Sequence, residues 1–89
     1  MTVKERIMKR LMETLQPIEL DVVDESGRHE GHVGARKGGE THYRVYIVSR
    51  VFAGKRRVER HRMVYDALKS EIESGVHALA LTTLAPEEV

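Results

Sequence analysis

The chain has 89 residues, 40% hydrophobic and 33% charged, with fifteen Lys and Arg against fourteen Asp and Glu and no cysteine. That length supplies one core under one layer of sheet, the composition excludes a disordered tail, and no apolar run approaches a membrane span. A net charge of +1 excludes a polycation that holds nucleic acid by bulk charge, and the missing thiols exclude disulfides, thiolate catalysis and a self-contained thiolate metal cluster.

The start, "MTVKERIMKR", is charged from its fourth residue and does not read as a signal peptide, so one cytoplasmic domain over residues 1–89, with no membrane partner, is expected. Thr2 and Glu5 form a T-x-x-E capping box, and Val3, Ile7, Leu11 and Leu15 follow at i, i+4 spacing, which predicts an amphipathic helix over 3–15. Pro17 ends it, because a residue before proline is pushed toward extended backbone. Ile18, Leu20 and Val22 alternate with Glu19 and Asp21, the period of a strand with one buried face.

Residues 26–39, "SGRHEGHVGARKGG", carry five glycines and two histidines without apolar periodicity, and read as a long exposed loop. Tyr43, Val45 and Ile47 then alternate with His42, Arg44 and Tyr46, a second strand that pairs antiparallel with the first. "RVFAGK" reads as a helical turn broken at Gly54. Val64, Leu68 and Ile72 recur every four residues and predict one main helix over 57–73, with Gly75 at its left-handed C-terminal cap. His77 to Leu84 is the third strand, closing before Pro86, and the helical crossover predicts that it runs parallel to the second. The expectation is an α+β domain of order αββααβ, a three-stranded mixed sheet packed against helices.

Five histidines, at 29, 32, 42, 61 and 77, are the chemically capable group. His61 lies at the edge of the helix's buried stripe and reads as structural, a packed ring tying helix to backbone by a hydrogen bond whose loss would cost about 1 to 3 kcal/mol. His42 opens a strand and reads the same way. His29 and His32 stand in the glycine-rich loop, where a ring can turn toward a partner, although H-x-x-H alone is weak evidence for metal. His77 sits at a strand entry that does not require an imidazole. Residues 50–62, "RVFAGKRRVERHR", hold six Arg or Lys and one Glu, so Lys55, Arg56, Arg57, Arg60 and Arg62 are candidate phosphate contacts. No nucleophile elbow, P-loop or dinucleotide fingerprint is present, which argues against an enzyme.

"GETHYRVYIVS" at 39–49, F-x-G-K at 52–55, "RHRMVYDAL" at 60–68 and "VHALAL" at 76–81 together resemble the successive signatures of BolA proteins, over nearly the whole chain. The resemblance implies a domain related to the class II KH fold and two roles. In one, the protein pairs with a CGFS-type monothiol glutaredoxin and shares a 2Fe-2S cluster. The partner and its glutathione give thiolates, this chain gives His77 and a loop histidine, either His29 or His32, and the isolated chain binds no cluster. In the other, the protein is a DNA-binding stress-response transcription regulator that uses its basic, helix-turn-helix-like segment. Against nucleic-acid reading, "FAGKRR" replaces the G-x-x-G clamp of a KH domain and only three Tyr and one Phe are available for stacking. The glutaredoxin partnership is the favoured expectation, and a weak homodimer is compatible with the sequence.

Overall fold

The computed structural model describes residues 2–25 and 42–89; the glycine-rich segment with His29 and His32 lies outside the described residues. Helix α1, Val3–Leu15, begins at the expected capping box: the Glu5 amide donates to Thr2 Oγ1 at 3.1 Å and the Thr2 amide donates to Glu5 Oε1 at 2.8 Å. Ile7, Leu11 and Leu15 form its buried stripe. The helix ends at Gln16, whose φ of 46° is left-handed, a sharper stop than the extended exit predicted from Pro17. Buried Ser49 fastens this end to the sheet, its Oγ donating to the Leu15 carbonyl at 2.7 Å.

Strands β1, Glu19–Asp24, and β2, His42–Val48, pair antiparallel with Val22 opposite Val45. β2 in turn pairs parallel with β3, Ala78–Leu84, with Val45 opposite Leu81. The order β1-β2-β3 makes β2 the central strand. Alternation along each strand puts Val22, Tyr43, Val45 and Ile47 on one face, where they join Ile7, Leu11, Phe52, Val64, Leu68 and Val76 in a single core. All three helices therefore cover one side of the sheet. Ile18 departs from expectation: it precedes the strand, is 51% exposed, and contributes its amide, which donates to the Val48 carbonyl at 2.7 Å.

The crossover runs from a 3-10 turn, Arg50–Phe52, through helix α2, Arg57–Ala67, to helix α3, Lys69–Glu73. The single helix predicted over 57–73 is interrupted at Leu68, whose φ of −103° and ψ of 14° leave the helical region while its buried side chain stays in the core. Glu71, three residues on, is buried, and its carboxylate accepts from Arg6 Nε at 3.1 Å, which joins α3 to α1. Gly54 at φ 75° and Gly75 at φ 127° make the turns before α2 and after α3, in backbone that favours glycine. His77 stands one residue before β3 and is exposed, so the strand is one residue shorter than expected.

Arg60 is the main correction to the sequence reading. It sits four residues before Val64 and eight before Leu68, on the buried stripe, and only 8% of its surface is exposed. Its Nε donates to the Lys55 carbonyl at 2.9 Å and its Nη1 to the Thr83 carbonyl at 3.1 Å. The same guanidinium grips both oxygens of Glu88, Nη1 at 2.6 Å and Nη2 at 3.1 Å. Glu88 also accepts from the Ala85 amide at 2.7 Å, which folds the terminal 3-10 turn, Pro86–Glu88, back onto the helix. With its donors committed to these acceptors, Arg60 is removed from the set of phosphate contacts. The tie from helix to backbone expected of His61 is made by Arg60 instead. His61 is half-buried, and no hydrogen bond of its ring is found among the described residues.

Hydrogen bonds from Arg60, then from the Ala85 amide, hold the Glu88 carboxyl down to about 2, from an ordinary 4.5. A carboxyl depressed in the folded state contributes stability that is complete above its unfolded pKa and is lost as pH falls through the folded one. The melting temperature of the wild type should therefore fall between pH about 4.5 and 2 more steeply than that of Glu88→Gln, and the two curves should converge at the acid end. Equal slopes through that window would show that the pair is idle. Thermal melts should also separate the neighbours in the helix: His61→Ala is expected to cost less than about 1 kcal/mol, whereas Arg60→Ala lowers the melting temperature clearly more.

Candidate functional site

The antiparallel β1–β2 pair and the parallel β2–β3 pair together bring three strand termini to one end of the sheet. Asp24, at the close of β1, is opposite Tyr43, and His42, at the opening of β2, is opposite Ala78. His77 precedes Ala78 and so stands at this same end. The Glu25 amide donates to the His42 carbonyl at 2.8 Å, which pins together the two residues that bracket the glycine-rich segment. Glu25 is held again by Arg44, whose Nε donates to Glu25 Oε2 at 2.9 Å. Glu25 and His42, the described residues on either side of residues 26–41, thus stand at the end where His77 is.

His77 is exposed, and its imidazole has no hydrogen-bond partner among the described residues. A neutral imidazole of that kind offers an available nitrogen to a metal that arrives from outside. No group of three or more His, Cys, Asp or Glu gathers into a metal site among the described residues. One exposed imidazole can supply a single ligand to a metal ion. His42, half-buried on the strand alongside, has an interaction of its own within the chain.

The basic segment lies at the opposite end of β3. Lys55, Arg56, Arg57 and Arg62 are exposed, and Arg56 stands 3.9 Å from Glu59 in a surface pair. Lys55, Arg57 and His61 line a groove between α2 and the Leu81–Leu84 stretch of β3, with Arg60 and Glu88 in its wall. Lys55, Arg57 and His61 are recognisable by residue type, but their meeting with β3 depends on the crossover. The one signal for Arg60, its i, i+4 and i, i+8 spacing to Val64 and Leu68, is easily passed over because a charged residue in a helical stripe is normally solvated.

Among the described residues no helix is long and apolar enough to cross a membrane. A family model for BolA-like proteins matches residues 11–88. The chain is 46% identical over 88 residues to "SufE-like protein 1, chloroplastic/mitochondrial" of Arabidopsis thaliana, covering 94% of this chain but only 24% of that longer relative. It is 44% identical over 88 residues to "DNA-binding transcriptional regulator BolA" of Escherichia coli strain K12, covering 99% of this chain and 80% of the relative. The solved BolA domain of SufE1 from Arabidopsis thaliana superposes with a TM-score of 0.89 at 44% identity, covering 100% of this chain and 98% of that one. The α+β fold with its three-stranded mixed sheet is the one seen in these BolA domains, and the chain belongs to the family of BolA-like proteins.

Proposed function

We propose that this chain is a non-enzymatic cytoplasmic partner of a CGFS-type monothiol glutaredoxin, lending an imidazole to a 2Fe-2S cluster shared across the interface. The observation that carries the reading is the position of His77: exposed, without a hydrogen-bond partner among the described residues, and at the sheet end where Glu25 and His42 also stand. The thiolates would come from the glutaredoxin and its glutathione. Replacing a thiolate by a neutral imidazole removes a negative charge from the cluster and raises its potential, the physical basis for a partner that changes how readily cluster is passed on or sensed. His29 or His32 would add the second ligand.

Adding the wild-type chain to cluster-loaded glutaredoxin should change its visible absorption and circular dichroism, and His77→Ala should abolish that change. Because His77 is exposed, the substitution should alter stability by no more than about 0.5 kcal/mol. Single substitutions of His29 and His32 should shift the spectrum less. A wild-type spectrum from folded His77→Ala would contradict the reading.

A second reading rests on the exposed Lys55, Arg56, Arg57 and Arg62 and on the Escherichia coli relative, which is named a DNA-binding transcriptional regulator. In this reading the four side chains contact phosphates and set affinity, while Arg60 holds the segment in place. Arg56→Ala with Arg57→Ala should then weaken binding to every DNA sequence alike and reduce the slope of log affinity against log salt by about 1 per residue. An unchanged slope would make the segment a solvated surface.

A further inference from the structure

Strand β3 is an edge strand with an open side, and two hydrogen bonds fix which of its backbone groups face it. The Ser49 amide donates to the Leu84 carbonyl at 2.9 Å on the β2 side, and Arg60 Nη1 donates to the Thr83 carbonyl at 3.1 Å on the other. The amide and carbonyl of one strand residue point the same way, and the direction alternates along the strand. Leu79 and Leu81 therefore turn both groups outward with Thr83, and no hydrogen bond meets them there among the described residues. Edge strands are ordinarily blunted by a charge, a proline or a bulge. β1, at the other edge, carries Glu19, Asp21 and Asp24, whereas "ALALTTL" of β3 has no such residue.

The open side of β3 runs into the groove beneath α2. Lys55, Arg57 and His61 stand on its helical side, with Leu81 and Leu84 on the strand side. The groove already takes a carboxylate of this chain, since Glu88 lies in its wall with both oxygens in the fork of Arg60. Its remaining charge is cationic and exposed, at Lys55 and Arg57.

We propose that β3 accepts an extended acidic peptide segment of a partner protein as a fourth strand. The added backbone pairs with Leu79 and Leu81, and every second side chain, on the helical side, places its carboxylate beside Lys55 and Arg57. Backbone pairing supplies affinity and the alternate acidic positions supply selection, the general logic of strand addition at an exposed edge. Single-stranded nucleic acid is the weaker candidate for the same groove: no Phe, Tyr or Trp lines it for stacking, and the guanidinium in its wall is committed to Glu88. The proposal needs neither His77 nor a cluster, so it stands or falls separately from the glutaredoxin reading.

The test is nuclear magnetic resonance on the ¹⁵N-labelled full chain, titrated with a capped peptide of alternating glutamate and threonine, its lysine–threonine counterpart, and oligothymidylate. The acidic peptide should give saturable shifts at the Leu79 and Leu81 amides and slow their exchange with solvent, and the lysine peptide should do neither. Lys55→Glu with Arg57→Glu, both exposed, should weaken the acidic peptide by about tenfold or more. Leu79→Pro removes an outward amide while leaving the ladder to β2 intact, and should abolish the slowed exchange at Leu81 in protein that still melts cooperatively. Unchanged exchange at both leucines under saturating acidic peptide overturns the proposal. So does tighter binding of oligothymidylate at the same amides, which would assign the groove to nucleic acid.

Discussion

The parallel pairing of β2 with β3 is the constraint on which the rest of the molecule depends. A parallel neighbour cannot be reached by a tight turn, so the chain must travel the length of the sheet before it re-enters, and here it does so through α2 and α3. That return journey covers the sheet with helices and completes the core around Val45, Val64 and Leu68. It also sorts the chemistry. The openings of β2 and β3 fall at one end, together with the close of antiparallel β1, so His77, Glu25 and His42 share that end. Lys55, Arg57 and Arg60 gather toward the other end of β3, beside Leu81 to Leu84.

Arg60 secures the second of these ends. A buried cation is costly unless its donors are matched, and here two backbone carbonyls and a carboxylate match them in different directions. The planar guanidinium, with five donors in a fixed fork, can serve a loop, a strand and a terminal turn at once, whereas a lysine's single ammonium could not hold the same bidentate carboxylate. The bond to the Lys55 carbonyl also fixes where the basic segment begins relative to β3. Charge on the surface of this segment and charge within it consequently have separate roles.

Much of the fold was legible because its signals are local. The Thr2–Glu5 capping box and the i, i+4 run to Leu15 marked α1 at both ends, and alternation marked β2. The misses have particular causes. Ile18 fits the alternation, but it lies just before the strand, and its side chain is left half exposed while its amide alone meets β2. Leu68 fits the helical repeat as a core residue while its backbone leaves the helix, a combination that a pattern of side chains cannot report. Arg60, and not His61, ties the helix to the backbone, because helical phase outweighs residue type: the arginine has the i, i+4 and i, i+8 spacing of the buried stripe. For the site, His77 was visible as an imidazole without a structural reason, but its shared end with Glu25 and His42 requires the sheet register. The groove was invisible, since residues 55–61 and 81–84 meet only after the crossover has folded.

The central functional claim is that the His77 nitrogen enters the coordination of iron held by a partner. It is tested most directly by labelling the histidines of this chain alone with ¹⁵N, mixing it with unlabelled cluster-loaded glutaredoxin, reducing the cluster and recording nitrogen hyperfine couplings by pulsed electron paramagnetic resonance. A ¹⁵N coupling of the size of a directly bound imidazole is expected, and it should disappear when His77→Ala protein is used. A coupling spectrum containing only unlabelled nitrogen, or a ¹⁵N coupling that survives that substitution undiminished, would contradict it.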